Sequence, residues 1–455
     1  MRKIQTKITL PSLIYLSIVV LTSLEACWPI SFFGVIITSL MIIFLVIEFP
    51  KASRIAQIMG ATLGFIGIVA ALSSDKVGVI GDGFSQAKIF LVMFFAVSWL
   101  QLPSRISPSL DAARKVITSQ PPGKRFLIAA LGVHGLGAVL NLAGLSLVAS
   151  MINQAQNLNL KRRLTIALTL GFSSASSWSP FYISMVVVLL AIPSLNFWEL
   201  SPFGLVVALG SIFTGWLYDR LTSLDANLVV PQMARVLNFR ECARLGILLL
   251  GLVFLVMVTM DFFKVSIPIA LGIIAPLFSM IWWEVITYSK NEIFGTGIRL
   301  GVETIAGLEN LRSEVIIFVA ATIFGVGLSS VGSEASISFI LEEYITSVDV
   351  RIAVLTFSGI GLGMLGLHPV ILVILIGETI SPEALGVKDW IMGLSLLSIW
   401  GLSTMVNPFS GTNLYLAKVT SISPYTIAWS WNIPVVLLAT GISTGILICL
   451  NNFWN

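Results

Sequence analysis

Charged side chains make up only 11% of this 455-residue sequence, against roughly 25% in soluble domains, and that scarcity excludes a soluble protein. Cysteine appears three times, as Cys27, Cys242 and Cys449, far apart and in or beside apolar segments. This spacing excludes both a disulfide framework and a cysteine-based zinc site. No apolar run carries a carboxylate near its middle, because Glu25, Glu48, Glu284 and Glu314 all fall near ends. That absence argues against a sodium/proton antiporter, which normally needs a buried titratable acid. No loop is long enough for a soluble catalytic domain, so the chain reads as a non-enzyme with no cofactor and no nucleic-acid partner.

What the chain has is apolar length. Hydrophobic residues reach 56% and mean hydropathy is +0.98, while a bilayer-crossing helix needs about 20 such residues. Spans read near 9–24, 29–49, 55–73, 84–102, 163–195, 202–218, 244–260, 265–287, 313–332, 390–417 and 426–449. The expected fold class is therefore an all-α polytopic membrane protein with about eleven transmembrane helices, surrounded by membrane lipid. The start is basic (Arg2, Lys3, Lys7), and Leu24, Glu25, Ala26, Cys27 superficially resembles a lipoprotein cleavage box. A second apolar run follows at once, so the first is read as an uncleaved span with a cytoplasmic N-terminus.

Two further apolar stretches, 126–152 and 351–378, carry glycines near the middle and are long for a single crossing at about 1.5 Å per residue. Charge decides how they run, because basic residues collect on the cytoplasmic side. If both turn back as re-entrant hairpins, only Lys76, Lys88, Lys264, Arg351 and Lys388 of the 26 basic residues lie outside. Making 126–152 a full span would instead throw Lys161, Arg162 and Arg163 outward. The hairpin reading wins, and it places the C-terminus outside.

The two hairpins resemble each other: Gly135, Leu136, Gly137 matches Gly361, Leu362, Gly363. Each leads into a span interrupted by a polar cluster and a Pro-Phe pair, Ser173 to Phe181 in the first copy and Ser403 to Asn413 in the second. A short amphipathic helix precedes each, with Leu110, Ala113 and Ile117 on one face of the first and Ile337, Ile340, Leu341, Tyr344 and Ile345 on one face of the second. The first hairpin opens to the cytoplasm and the second to the outside, which makes an inverted repeat of the kind many secondary transporters use. Broken helices free backbone groups at mid-membrane depth, tolerable only beside a cavity or within protein. Half-helix N-termini then face an anion and freed carbonyls a cation.

On these residues the chain resembles, over nearly its whole length, the ion transporter superfamily of divalent anion/sodium symporters, citrate transporters and arsenite permease-like proteins. The resemblance implies a homodimer in a bacterial cytoplasmic (inner) membrane. It also implies an elevator, with a static scaffold (1–123 and 244–350) and a mobile transport part (124–243 and 351–455). The symporter branch carries Ser-Asn-Thr at each hairpin tip. Here the tips read Leu140, Asn141, Leu142 and Gly366, Leu367, His368, so Asn141 alone matches.

Asn141, an amide at an apolar tip, is either a ligand or a turn-forming residue. Ser173, Ser174, Ser176, Ser177 and Ser179 either line a site or bond to carbonyls one turn back; a second cluster, Asn407, Ser410, Thr412 and Asn413, at the matching place favours a site facing across the repeat axis. His134 and His368 are the side chains in the hairpins that titrate near neutral pH, although His368 before Pro369 also suits a plain turn. Neutral oxygens rather than carboxylates dominate the region, so sodium is the expected coupling ion. Gly361, Gly363 and Gly366 spell a dinucleotide fingerprint without its strand, an accidental match; Gly359 and Gly363 read as points of close helix approach. Trp99, Trp198, Trp216, Trp282, Trp283 and Trp390 fall near span ends and read as interfacial anchors.

The leading expectation is secondary active transport of a small, carboxylate-type anion bound between hairpin tips and helix breaks. The alternative is an integral-membrane glycan polymerase or ligase acting on lipid-linked sugars, which calls for an outer loop with arginines and a histidine. The outer loops here are short and acidic. A channel would need a filter signature and leaves the inverted repeat unexplained. A cysteine placed at Arg162 should react with an impermeant maleimide only from the cytoplasmic side, and one at Glu383 only from outside. Labelling from the opposite side at either position would overturn the two-hairpin topology.

Overall fold

The computed structural model describes residues 7–155, 157–222, 239–288, 296–332 and 343–454. Among the described residues every regular element is a helix. The first four are α1 (Leu10–Cys27), α2 (Ser31–Glu48), α3 (Arg54–Ser73) and α4 (Val79–Ile106), and the amphipathic α5 (Pro108–Thr118) follows. A helical hairpin, α6 (Pro122–Leu140) and α7 (Leu142–Ala149), leads into one broken helix made of α8 (Leu158–Ala175) and α9 (Ile183–Ala191), then α10 (Phe197–Thr222). The middle of the chain supplies α11 (Phe239–Phe263), α12 (Ile267–Tyr288), α13 (Thr296–Ala306) and α14 (Arg312–Ser330). The C-terminal part repeats the earlier order. A second hairpin, α15 (Val348–Met364) and α16 (Pro369–Thr379), leads into a second broken helix, α17 (Asp389–Val406) and α18 (Gly411–Thr420). A π-helical stretch, Thr426–Asn432, opens the last helix, α19 (Ile433–Trp454).

Among the described residues eleven helical segments are long and apolar enough to cross a membrane, and the chain is an all-α polytopic membrane protein. All but one match the spans read from the sequence. The exception is Gly123–Leu140, the first arm of hairpin one, whereas 163–195 is divided by its own break into α8 and α9.

The chain forms two compact units: Met1–Leu110 with Arg240–Ser333, and Asp111–Phe239 with Glu334–Asn455. In the first unit α3 and α14 cross in backbone contact. A Cβ on Gly67 would strike the carbonyl of Ile323, and one on Gly327 would strike the carbonyl of Gly67. Lipid tails are as apolar as leucine, so membrane helices associate by close packing of this kind rather than by hydrophobic exclusion. Ser53 starts α3 by accepting from the Ala56 amide at 3.3 Å. Glu48, wholly buried at the end of α2, is held by Lys51 at 2.6 Å and Arg312 at 2.9 Å; removing either partner from a buried pair of this kind is costly. Two of the expected anchors are instead packed inside: Trp99 is 5% and Trp282 4% exposed, the first against Phe95 and the second against Phe278. Both sit where helices meet, and a large ring fills such a junction.

Of the apolar face of α5, Leu110 is buried and closes the first stretch of the first unit, and Ile117, in the second unit, is buried on Gly132 of α6. Asp111 on the other face of α5 pairs with Arg114 and Lys115. Of the second amphipathic face, Ile337, Ile340 and Leu341 lie outside the described residues, as do Arg2 and Lys3; Tyr344 is exposed. Gly359 and Gly363 face Ile399 and Ser403 of α17, the close approach that their spacing implied.

The α3–α14 crossing makes opposite predictions for two glycines one turn apart. Gly67→Ala should destabilise the purified protein by about 1–3 kcal/mol, because backbone must move. Gly64, with nothing within 4 Å of its would-be Cβ, should accept alanine with a gain of up to about 1 kcal/mol from helix propensity. Thermal unfolding in detergent reads both.

Candidate functional site

Both broken helices fail at a proline, which has no amide hydrogen to give to the carbonyl four residues back. At Pro180 the deprived carbonyl is that of Ser176, and the Ser184 hydroxyl donates to it at 2.8 Å. At Pro408 the deprived carbonyl is that of Thr404. Asn413 answers with its amide nitrogen, 3.3 Å from the Thr404 oxygen, 2.8 Å from that of Met405 and 2.9 Å from that of Asn407.

The residue before each proline has the same two tasks. Ser179 accepts from the Phe181 amide at 3.1 Å and donates to the Ala138 carbonyl in the first hairpin. Asn407 accepts from the Phe409 amide at 2.8 Å and donates to the Leu367 carbonyl in the second hairpin at 2.9 Å. Each break is thus latched to its own hairpin through one side chain, by the same turn in both repeats.

An indole ring reinforces each latch. Trp178 donates to Nε2 of His134 at 2.9 Å, and an indole nitrogen only donates, so Nε2 carries no proton. The neutral ring then bears its proton on Nδ1 and donates to Ser174 Oγ at 2.9 Å, whose hydroxyl donates to the Gly171 carbonyl at 3.0 Å. This tautomer follows from the network. In the second repeat Trp429 donates to the Met364 carbonyl at 3.1 Å, while His368 caps α16 by accepting from the Val370 amide at 3.3 Å. Asn141 sits at the first tip with φ +52°, and its side-chain oxygen accepts from the Leu142 amide at 2.9 Å. That is the turn-forming geometry, and it leaves the amide nitrogen without a partner among the described residues.

The two repeats meet at Gly401 of α17, where a Cβ would lie 2.8 Å from both the Ser173 carbonyl and Ser176 Oγ. Ser177 is buried with its backbone carbonyl against Gly204 of α10, and the Ser179 hydroxyl is turned to its hairpin. Ser410 caps α18 by accepting from the Asn413 amide at 3.2 Å, with Thr412 buried in the same first turn. The freed carbonyls expected to face a cation are already engaged by Ser184 and Asn413. Among the described residues of the two breaks, one side-chain oxygen in each remains buried and unpartnered, Ser173 Oγ and Asn413 Oδ1; in the same unit Thr444 Oγ1 and Asn451 Oδ1 of α19 are unpartnered too, away from the breaks. Among the described residues no cluster of His, Cys, Asp or Glu is fit to hold a metal ion.

Sequence reading passed over Asn432. It donates to the Met405 carbonyl at 2.9 Å and accepts from Thr169 of α8 at 3.2 Å, so it joins the first broken helix to the second. Its signal was present, an amide inside an apolar run. Ser184 and Tyr182, whose hydroxyl donates to the Phe172 carbonyl at 2.9 Å, were likewise missed, because a lone hydroxyl in a helix carries no such signal.

No protein-family model matches the chain, and no curated protein matches it. Solved structures do. The Alcanivorax borkumensis YdaH transporter, described as having an unusual topology, superposes with a TM-score of 0.57 at 14% identity, covering 84% of this chain and 90% of that one. Neisseria gonorrhoeae MtrF, described as illuminating a class of antimetabolite efflux pumps, gives a TM-score of 0.59 at 11% identity, covering 83% of this chain and 85% of that one. At such identities the likeness is one of fold, a helical architecture shared with membrane transporters.

Removing either latch should loosen only its own hairpin. Ser179→Ala should speed amide hydrogen exchange around 137–145, and Asn407→Ala around 362–370, each by roughly fivefold for a bond of about 1 kcal/mol. Unchanged exchange at the substituted latch's own hairpin would show that latch to be dispensable.

Proposed function

We propose that the protein is a secondary active transporter of the ion transporter superfamily kind, carrying a small carboxylate-type anion coupled to sodium by an elevator movement. The observation that carries this reading is the duplicated latch. Ser179 and Asn407 repeat one bonding pattern in two hairpin-and-break modules, which is what an alternating-access machine built from related halves requires. The likeness in fold to two transporters supports it.

In this reading the unit with both modules moves and the other, tied together by the glycine crossing, stays fixed in a homodimer. The protein lies in a bacterial inner membrane with its N-terminus in the cytoplasm and its C-terminus outside. The anion sits at half-helix N-termini, where amides and the helix dipole favour negative charge: α18, begun by Ser410, and α7, begun at Asn141. Sodium takes the uncharged oxygens that lack donors, Ser173 Oγ and Asn413 Oδ1, which need no local acid. His134 has both ring nitrogens engaged as a neutral imidazole and His368 is a helix cap, which weighs against proton coupling.

The test begins with thermal-shift screening of small anions with and without sodium, then uptake in vesicles under a sodium gradient alone and a proton gradient alone. Sodium alone should drive uptake. Asn141→Ala and Asn413→Ala should abolish it, but Asn413→Ala also strips donors from three carbonyls, so Ser173→Ala is the cleaner probe. It should raise the sodium concentration for half-maximal uptake roughly tenfold, the equivalent of about 1.4 kcal/mol. Uptake driven by protons only, and lost in His368→Gln, would overturn the sodium assignment.

A further inference from the structure

At one end of the second unit α6, α8 and α10 converge and bring together more positive charge than they neutralise. Arg163, in the second turn of α8, grips both oxygens of Asp219 near the end of α10, at 2.7 and 2.8 Å. Asp219 is buried and is the one carboxylate in an ion pair with these guanidiniums among the described residues. Arg220, next along α10, donates to the Gly123 carbonyl in the first turn of α6 at 2.6 Å and lies over the Trp216 ring at 5.8 Å. Arg125, half-buried, gives its Nε to the Gln120 carbonyl at 3.1 Å. Its two terminal nitrogens have no partner among the described residues, and the like charge of Arg163 bears on it. A guanidinium partly withdrawn from water beside another cation is an unfavourable arrangement unless an anion joins it.

The positive-inside tendency explains why basic residues collect at one end. It does not explain why one of them is half-buried beside a second with its fork of donors empty. That planar fork matches phosphate.

The surface of α10 identifies what brings the phosphate. Val206, Leu209, Phe213, Leu217 and Leu221 are all exposed, and their spacing of three to four residues puts them in one stripe along the helix. The stripe runs to Arg220, with Trp216 where apolar surface gives way to charge, the place an indole takes at a membrane interface. Cations at the end of an apolar stripe complement an amphiphile, not a free ion. We propose that Arg125, Arg163 and Arg220 hold the phosphate of an anionic phospholipid whose acyl chain lies along α10. The bound lipid would tie the root of the first hairpin to α8 and α10, a role separate from the transport reading and independent of it.

The probes are dioleoylphosphatidylglycerol, dioleoylphosphatidylcholine and inorganic phosphate, each added to purified full-length protein, read by native mass spectrometry and thermal unfolding. Wild type should prefer the glycerol lipid. Arg125→Gln should cut that preference roughly fivefold, the effect of about 1 kcal/mol per basic residue, Arg125→Lys, which keeps the charge but not the fork, should lose part of it, and Arg54→Gln, in the first unit, should keep it. Without lipid, Arg125→Gln should unfold no earlier than wild type, since it breaks no ion pair and relieves repulsion. Four results would each overturn the proposal: equal binding of the two lipids by wild type, the same stabilisation from inorganic phosphate, an equal loss of preference in Arg54→Gln, or an Arg125→Gln protein that is less stable without lipid yet keeps its preference.

Discussion

A backbone carbonyl has nowhere to turn inside a bilayer, and the second unit is organised around that fact. Two prolines interrupt two helices, and every carbonyl left wanting a donor must find one from a side chain, since water is absent. Ser184 and Asn413 meet this need inside their own repeats, and Asn432 meets it from a third helix. Ser179 and Asn407 then extend the repair outward to the hairpins. The polar residues that look like a binding site in the sequence are thus first of all the means by which a broken helix survives in hydrocarbon.

Yet the repair is incomplete. Ser173 Oγ and Asn413 Oδ1 stay buried without partners, one at each break, and a fully satisfied structural network would have left neither. The surplus separates these two from their neighbours: Ser174 is absorbed by His134, Ser176 by a carbonyl one turn back, and Ser410 by a cap. In the proposed transport reading, stability and ligand binding would draw on the same set of oxygens, divided atom by atom rather than residue by residue. Asn413 would serve both, its nitrogen the fold and its oxygen the ligand.

The architecture was legible in the sequence because it rests on quantities a sequence displays directly. Apolar length gave the spans, the Pro-Phe pairs gave the breaks, and Gly135 to Gly137 against Gly361 to Gly363 marked the hairpins as copies. What was not legible is which partner each polar side chain chooses. Ser179 and Ser176 are indistinguishable by composition, yet one holds a hairpin and the other bonds to the Ser173 carbonyl of its own helix. Trp99 and Trp282 sit at span ends as an anchor should, but neighbouring helices cover them, and burial depends on packing that no single segment encodes. Asn432 was passed over because its partners, Thr169 and Met405, are remote in the chain.

That remoteness gives assembly a direction. A chain emerges from the ribosome N-terminus first, so the break at Pro180 can be completed by Ser184 almost as soon as it is made. What must wait is the link between the two broken helices: Asn432, at the entrance to α19, adds a second donor at the Met405 carbonyl and an acceptor for the Thr169 hydroxyl. Both modules therefore enter the membrane before the residue that joins them. Until it arrives a nascent chain holds two repaired but unjoined halves, and the seam between them is where a membrane chaperone or a quality-control protease would find its hold.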